Sequence, residues 1–244
     1  MNKYKINYSI LTFAFFTFIN TVYAASSSEI ELKAIYDISN KASLQRGAKY
    51  FVNYCMGCHS IKYMRYSRLS EDLNLNEDLI TKNLMFTRQK FGETMSIAMN
   101  PEDAERWFGA KPPDLSLIAR SKGADYIFTF LNTFYLDESK PHGYNNLAYP
   151  NTSMPHALVS LQGSQKNVLN EETGKHERFI QIKEGIYTKE KYEKATNDIT
   201  AFLVYVSEPA KLQRHAIGFW VLLFIFAFTI VAYYTKKEFW KDVK

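Results

Sequence analysis

Five consecutive residues, Cys55-Met56-Gly57-Cys58-His59, constrain the fold of this chain more than any other feature. Two cysteines separated by two residues can each form a thioether with a vinyl group of one haem, and the histidine that follows then presents its imidazole to the iron. The motif therefore predicts one covalently bound c-type haem, attached through Cys55 and Cys58 and ligated by His59, with the fold built around it.

Three other uses of the two cysteines agree less well with the sequence. A zinc site needs four ligands, and the chain has no third cysteine and no second His pair at ligand spacing. A CxxC redox motif belongs at the start of a helix in a βαβ pattern, which does not surround these residues. A disulfide between them would close a small, strained loop and would leave His59 without a role.

The N-terminus predicts export. Lys3 and Lys5 precede an apolar run at 10–19 and small residues up to Ala24. This order is typical of a signal peptide that is cleaved, here over residues 1–24, with a retained N-terminal anchor as the alternative.

The C-terminus predicts a membrane anchor over 209–235. It contains nineteen uncharged residues, 216–234, enough at about 1.5 Å per residue to cross a bilayer, although a core helix of a soluble protein can have the same composition. The basic tail at 236–244 favours a cytoplasmic C-terminus and an exported domain over 25–208. Between leader and tail, 24 basic residues face 23 acidic ones, so nothing indicates binding to nucleic acid.

The second axial ligand decides whether the iron is closed and suited to electron transfer or open to small molecules. Met154 lies in an irregular loop rich in proline, glycine and asparagine, 95 residues after His59, from where a chain can reach the opposite haem face. Spacing favours it without excluding the alternatives, which are Met64, Met85, Met95, Met99, His142 and His156.

Capping residues and helical periodicity divide the exported domain into short elements. The predicted helix starts are Ser43, Asn76, Asn100 and Asp114, with Gly109 ending the third of these helices. Further helices are predicted over Tyr126–Phe134 and from Thr188 to Glu208, with a short hairpin around Gly174.

Several segments together resemble the cytochrome c1 family. They are Arg46-Gly47, the CxxCH motif, Gly109-Ala110-Lys111-Pro112-Pro113-Asp114-Leu115-Ser116, the Asn-rich segment ending Met154-Pro155, and a single anchor after Ser207-Glu208-Pro209. The resemblance implies a mainly α, cytochrome c-like haem domain with loop insertions and a small hairpin, plus one C-terminal transmembrane helix. It also implies that Cys55 and Cys58 hold the haem and that His59 and Met154 are the axial ligands.

The same resemblance implies a place in the cytochrome bc1 complex of the bacterial inner membrane, beside cytochrome b and lipid, with the haem domain in the periplasm. There the haem accepts an electron from the Rieske iron–sulfur protein and passes it to a cytochrome c acceptor. The chain itself is expected to make and break no substrate bonds.

Three further residues are predicted to contact the haem or its ligand. The carbonyl of Pro112 or Pro113 can accept the second ring hydrogen of His59 and orient it. Arg120 can pair with a propionate, and Tyr126 can contribute to the same site. The alternative readings are an ordinary helix start and a surface arginine.

The sequence leaves two other function classes open. One is a free-standing, membrane-anchored cytochrome shuttle, which a long flexible linker before the anchor would favour. The other is an enzyme or gas sensor with an open haem site, such as a peroxidase, which would need a distal acid–base group such as His142 or His156.

Overall fold

The computed structural model of the chain describes residues 30–86 and 90–242. The predicted signal peptide over residues 1–24 and the last two residues of the tail lie outside the described residues. The helices are α1 (Lys41–Tyr50), α2 (Tyr66–Leu73), α3 (Glu77–Asn83), α4 (Pro101–Phe108), α5 (Ile118–Ser121), α6 (Ala124–Asn132), α7 (Val159–Gln162), α8 (Lys189–Ser207) and α9 (Lys211–Phe239). The predicted mainly α fold class is confirmed.

The strands form three separate two-stranded antiparallel sheets within the described residues. They are β1 (Ile61–Arg65) with β2 (Thr94–Met95), β3 (Phe134–Leu136) with β4 (Tyr144–Asn146), and β5 (Gly163–Leu169) with β6 (His176–Glu184). The third pair is the hairpin predicted around Gly174. The φ of 67° at this position explains why a glycine stands in the turn.

Helix α8 is the element on which the helices around the CxxCH motif pack. It begins near the predicted position, and Thr188 is its N-cap, because the Thr188 side chain accepts a hydrogen bond from the amide of Lys191. Its buried stripe includes Tyr192, Ile199 and Phe202. Helices α1, α5, α6 and α7 and strand β1 all contact it, so α8 fixes the position of the segments on both sides of the CxxCH motif.

Helix α1 begins before the predicted cap. Asn40 is the N-cap, and its side chain accepts from the amide of Ser43 at 3.1 Å. The prediction of Ser43 as the cap is wrong because its hydroxyl donates instead to Asp198 on α8, at 2.6 Å. Arg46 donates to both oxygens of the same carboxylate, at 2.7 and 2.8 Å, so one buried acid ties α1 to α8.

Gly47 is the point of closest approach between these two helices. A Cβ built on it would lie 2.1 Å from the carbonyl oxygen of Asp198 and 2.7 Å from the Cβ of Phe202. The helices therefore pack at a separation that only glycine permits here.

A π-helical turn over Phe51–Cys55 continues α1. The amide of Met56 donates to the carbonyl of Phe51, five residues back, at 2.9 Å. Phe51, Val52 and Cys55 are buried, so the turn carries the first cysteine of the motif into the core.

The other helix boundaries follow local signals in part. Asn76 and Asn100 cap α3 and α4, and Gly109 ends α4 in a left-handed conformation, as predicted. The helix predicted over Tyr126–Phe134 instead spans Ala124–Asn132. It ends early because the following residues pair as β3 with β4.

Helix α9 is 29 residues long. Among the described residues, it contains the one stretch that is long and apolar enough to cross a membrane, Ile217–Phe239, and none of that stretch is buried in the protein. Only Glu208, Pro209 and Ala210 separate it from α8. A single C-terminal helix thus fits a single-pass membrane anchor, while the predicted domain limits remain a prediction.

Candidate haem-attachment site

The two cysteines lie at the end of the π-helical turn. Cys55 is buried and Cys58 is partly exposed. The amides of Cys58 and His59 both donate to the carbonyl of Cys55, at 3.0 and 2.9 Å, so the loop between the cysteines is a tight turn. Both thiols are free, which leaves them available for thioether bonds.

Burial raises the pKa of both thiols. For Cys55 the pKa reaches about 12, with the neighbouring Cys58 as a smaller cause. A redox cysteine needs the opposite, a pKa lowered toward the thiolate. In addition, no group of three or more His, Cys, Asp or Glu side chains within residues 30–86 and 90–242 could hold a metal ion. These observations count against the zinc and thiol-redox alternatives.

One ring nitrogen of His59 is hydrogen-bonded to the backbone. Its Nδ1 lies 2.8 Å from the carbonyl oxygen of Pro113, and a carbonyl only accepts, so Nδ1 carries the hydrogen. Burial lowers the pKa of His59, against the effect of Pro113 and Asp114. The imidazole is therefore neutral at pH 7, with Nε2 as a lone-pair donor that suits iron. The carbonyl that orients the ring belongs to Pro113, while contact between Pro112 and the cofactor remains a prediction.

Asp114 holds the chain that follows His59. Its carboxylate accepts from the Ser60 hydroxyl at 2.8 Å, the Lys62 amide at 2.9 Å and the Ser116 amide at 2.9 Å. Partial burial would raise the pKa of Asp114, but these hydrogen bonds outweigh it and lower the pKa. The prediction of Asp114 as a helix cap is wrong, because its acceptor sites are used across the loop and α5 begins only at Ile118.

Two more hydrogen bonds join the same pair of segments. The amide of Leu115 donates to the carbonyl of Ser60 at 2.9 Å, and the amide of Tyr63 donates to the Ser116 hydroxyl at 3.1 Å. The PPDLS segment is thus fixed along the chain that follows the CxxCH motif. Sequence reasoning missed the two serines, whose only signal was their position: Ser60 directly follows the CxxCH motif and Ser116 ends the PPDLS motif.

Met154 lies, partly buried, in the irregular loop between β4 and α7. The Asn146 side chain accepts from the amides of the second and third residues after it, at 2.9 and 3.2 Å, and Asn145 accepts from the amide of Asn151 at 2.8 Å. The Thr152 hydroxyl accepts from the amide of Met154 at 3.2 Å. The Asn-rich sequence therefore supplies the hydrogen bonds that hold a loop without regular structure.

His156 follows the methionine and is buried. Its ring is stacked on Phe134 at a centroid distance of 4.8 Å and meets Tyr144 edge-on at 5.3 Å. Burial lowers the pKa of His156 to about 4, with the nearby Gln162 side chain opposing the shift. Its Nε2 has no hydrogen-bond partner of good geometry among the described residues.

The other candidate ligands lie in different surroundings. Met64 and Met95 are fully buried in the apolar core and belong to β1 and β2, not to a helix. Met85 and Met99 are partly buried, and His142 lies with its ring 6.3 Å from that of Phe108. Of the methionines among these candidates, Met154 is the one in a loop held by buried asparagines.

Arg120 and Tyr126 have different neighbours. Arg120 lines a cleft together with Tyr36 and Lys211. The ring of Tyr126 is half-buried, and the Nζ of Lys122 lies 5.6 Å from its centroid. Lys122 was not identified from the sequence, although its spacing of four residues from Tyr126 was a usable signal.

These residues fit a haem c. Two adjacent free thiols, a neutral histidine with one nitrogen already bonded to a carbonyl, and a partly buried thioether are the donors that such a group requires. Half-buried apolar side chains lie against the core within the PPDLS motif and after it, namely Leu115, Ile118, Ala119 and Phe130.

Comparison with known proteins adds independent information. The model of the Cytochrome C1 family matches residues 31–243. Cytochrome c1 of Allochromatium vinosum is 45% identical over 225 residues, covering 90% of this chain and 92% of that protein. A protein of Nitrosomonas europaea named ammonia monooxygenase gamma subunit is 45% identical over 220 residues, with the same coverage. Cytochrome b/c1 of Bradyrhizobium diazoefficiens is 28% identical over 247 residues, which are 83% of this chain and 34% of that longer protein.

Proposed function

Because the chain belongs to the cytochrome c1 family, we propose that it is the electron-transfer subunit of a ubiquinol:cytochrome c oxidoreductase, the cytochrome bc1 complex. Members of this family are haem c proteins of electron transport, and the chain carries one covalently bound haem c. In the proposed role it takes electrons from the Rieske iron–sulfur protein and passes them to a cytochrome c.

The structural observation that carries the haem-binding part of this proposal is the geometry of His59. Its Nδ1–H is bonded to Pro113 and its pKa is lowered by burial. The ring is therefore a neutral ligand with a fixed orientation, and Asp114 holds the two segments that carry it and its partner. Removal of a group that hydrogen-bonds the second ring nitrogen of a metal-binding histidine typically changes metal affinity by about 10–100-fold.

Each residue of the proposed site has a separate task. Cys55 and Cys58 would attach the haem, and His59 and Met154 would bind its iron. When bound, haem c supplies a metal centre that takes up and releases one electron at a time. A methionine sulfur is a soft, neutral ligand, so Met154 favours ferrous iron and a higher reduction potential than a second histidine would.

The anchor supports membership in a membrane complex. Helix α9 exposes its apolar side chains along Ile217–Phe239, as expected of a helix that meets lipid and neighbouring membrane helices. We propose that cytochrome b is one of these neighbours, that the haem domain faces the periplasm and that the C-terminus is cytoplasmic.

The free-standing shuttle is the second candidate function, and the structure gives one observation against it. Only three residues, 208–210, connect α8 to α9. A tethered shuttle needs a flexible linker that lets its domain travel between partners. A domain held this close to its anchor fits a docked subunit better.

The complex assignment can be tested by gentle extraction of membranes and capture of the chain through a C-terminal tag. We expect b-type haem, an iron–sulfur subunit and quinol-dependent reduction of cytochrome c to be captured with it, and none of these from membranes of an untagged strain. Capture of a c-type haem protein alone under progressively milder extraction would contradict the proposal. Capture with subunits of a monooxygenase, the assembly that the name of the Nitrosomonas relative indicates, would contradict it as well.

A further inference from the structure

Three hydrogen bonds run side by side between residues 59–60 and residues 113–115. The His59 ring donates to the Pro113 carbonyl at 2.8 Å. Beside it, the Ser60 hydroxyl donates to the Asp114 carboxylate at 2.8 Å. The amide of Leu115 donates to the carbonyl of Ser60 at 2.9 Å. The bond to Asp114 therefore joins the residue after the predicted iron ligand to the residue after the carbonyl that orients it, and it limits how far the two can separate.

The direction of the Pro113 carbonyl depends on how Asp114 is held. The proline ring fixes φ of Pro113, so only its ψ sets where the carbonyl points. Both carboxylate oxygens of Asp114 are engaged: Oδ2 accepts from the Ser60 hydroxyl and from the Lys62 amide, the latter at 2.9 Å, and Oδ1 accepts from the Ser116 amide at 2.9 Å. Asp114 is thus fixed on two sides, and the carbonyl that precedes it is fixed with it.

The hydrogen bonds of Asp114 affect His59 more than its charge does. Asp114 is exposed, so water and salt screen its carboxylate. Burial has the largest influence on the pKa of His59 and lowers it, the bond to Pro113 raises it, and the charge of Asp114 raises it least. The donors to Asp114 are better protected, since Ser60 is 6% exposed and Ser116 is 1% exposed. If these bonds are lost, the two segments must shift before water can reach the donors.

We propose that Asp114 is a positioning residue that sets the reduction potential of the haem through the hydrogen bond between His59 and Pro113. A ring hydrogen donated to a carbonyl makes the imidazole a more basic ligand, and a more basic ligand favours ferric iron. Loss of the Asp114 bonds moves the carbonyl away from the ring, weakens this bond and raises the potential. The change is opposite in sign to the one expected on loss of Met154. The inference rests on the proposed binding of the iron by His59 and is independent of the electron donor and acceptor.

The test is a redox titration of the full haem-loaded chain, followed by absorption, with Asp114→Asn and Asp114→Glu. Asparagine keeps the shape but has no charge and one acceptor oxygen fewer, while glutamate keeps the charge and moves it one methylene further out. We expect both to raise the potential by a shift of about three- to tenfold in the one-electron equilibrium, the effect of weakening one hydrogen bond, which is about 30–60 mV. Glu105→Gln is the matched control and should leave the potential unchanged, because it removes another exposed carboxylate, 3.2 Å from the Nζ of Lys111.

Salt separates positioning from charge. A rise in Asp114→Asn alone that disappears at about 1 M salt, where the Debye length is about 3 Å, would show an effect of charge and overturn the positioning role. Equal potentials in the parent and both Asp114 variants would overturn it as well. If these variants fail to hold haem, Ser60→Ala decides, because it removes one bond to Asp114 and leaves the charge in place. A smaller rise in Ser60→Ala supports the proposal, and an unchanged potential overturns it.

His59→Ala separates failure of this inference from failure of the ligand assignment on which it rests. An unchanged haem spectrum in His59→Ala would reject His59 as a ligand, and the inference with it. An altered spectrum or a loss of bound haem, together with unmoved potentials in the Asp114 variants, would overturn the inference and leave the ligand assignment standing.

Discussion

The substitution Gly47→Ala tests how closely α1 and α8 must pack to hold the first cysteine. A Cβ at this position would lie 2.1 Å from the carbonyl oxygen of Asp198, whereas ordinary contacts begin at 3.4 Å. Both atoms belong to rigid helices, so the helices must separate by about 1 Å. That movement also lengthens the hydrogen bonds from Ser43 and Arg46 to the Asp198 carboxylate.

The cost can be set against known magnitudes. Overpacking of a well-packed core costs about 1–3 kcal/mol, and a gap of 0.5–1 Å forfeits about a quarter to a half of the dispersion energy across it. We therefore expect Gly47→Ala to lower the free energy of unfolding by about 3 kcal/mol or more. For a chain of this size, that is a fall in melting temperature of roughly 6–12 °C.

Thermal unfolding of the purified haem-loaded chain, followed by circular dichroism, measures this effect. Gly92→Ala is the matched control, because a Cβ there has no atom within 4 Å and the change should cost less than about 0.5 kcal/mol. A Gly47→Ala protein that melts within about 2 °C of the parent would refute the reasoning. The two helices would then have enough freedom to separate without loss of stability.

Three other predictions concern the ligand loop and the N-terminal segment. Met154→Leu should leave the haem attached but open the sixth position or lower the reduction potential by a large margin; an unchanged spectrum and potential, with no carbon monoxide binding, would reject Met154 as a ligand. Lys33 and the amide of Ala34 hold the pKa of Asp125 below its ordinary value. The ionised Asp125 carboxylate therefore stabilises the folded protein above about pH 4, and this contribution is lost as the pH falls through the lowered pKa. Thermal unfolding of Asp125→Asn should therefore depend less on pH between 7 and 3 than that of the parent. His156→Phe keeps a planar ring and removes an unpaired buried nitrogen, so the melting temperature should stay the same or rise; a clear fall would mean that this nitrogen has a partner in the haem-loaded protein.

Local signals in the sequence predicted the parts of this fold that depend on neighbouring residues. A helix cap is such a local signal, because its side-chain oxygen can reach a free backbone amide two or three residues later, within one turn. The caps of this kind are Asn76, Asn100 and Thr188. The apolar stripe of α8 could also be predicted locally, because the spacing of its apolar residues is set by the helix itself.

The errors arose where a distant residue competed for the same side chain. Ser43 has the chemistry of a cap, but its hydroxyl bonds to Asp198, 155 residues away. Asp114 likewise bonds to residues 52 and 54 positions earlier in the chain. Such pairings depend on how the elements pack, and a single sequence contains no local signal for them.

The candidate site was predictable to a similar extent. The CxxCH spacing is set by covalent chemistry, so Cys55, Cys58 and His59 could be named from the sequence alone. The choice between Pro112 and Pro113 could not be made, because it depends on the direction in which one carbonyl points after the loop has folded. The roles of all the predicted site residues remain predictions, namely Cys55, Cys58, His59, Met154, Pro112, Arg120 and Tyr126.

The π-helical turn over Phe51–Cys55 sets how the length of the chain before the motif affects the first cysteine. A π turn contains one residue more than the α-helical turn it replaces. Deletion of the exposed Asn53 would therefore let an ordinary helical turn form, with Cys55 still facing about the same way. The turn is already widened, so a residue inserted there would instead rotate Cys55 by about 100°, since each residue of an α-helix turns by that angle. The segment before the motif should thus tolerate the loss of one residue better than the gain of one.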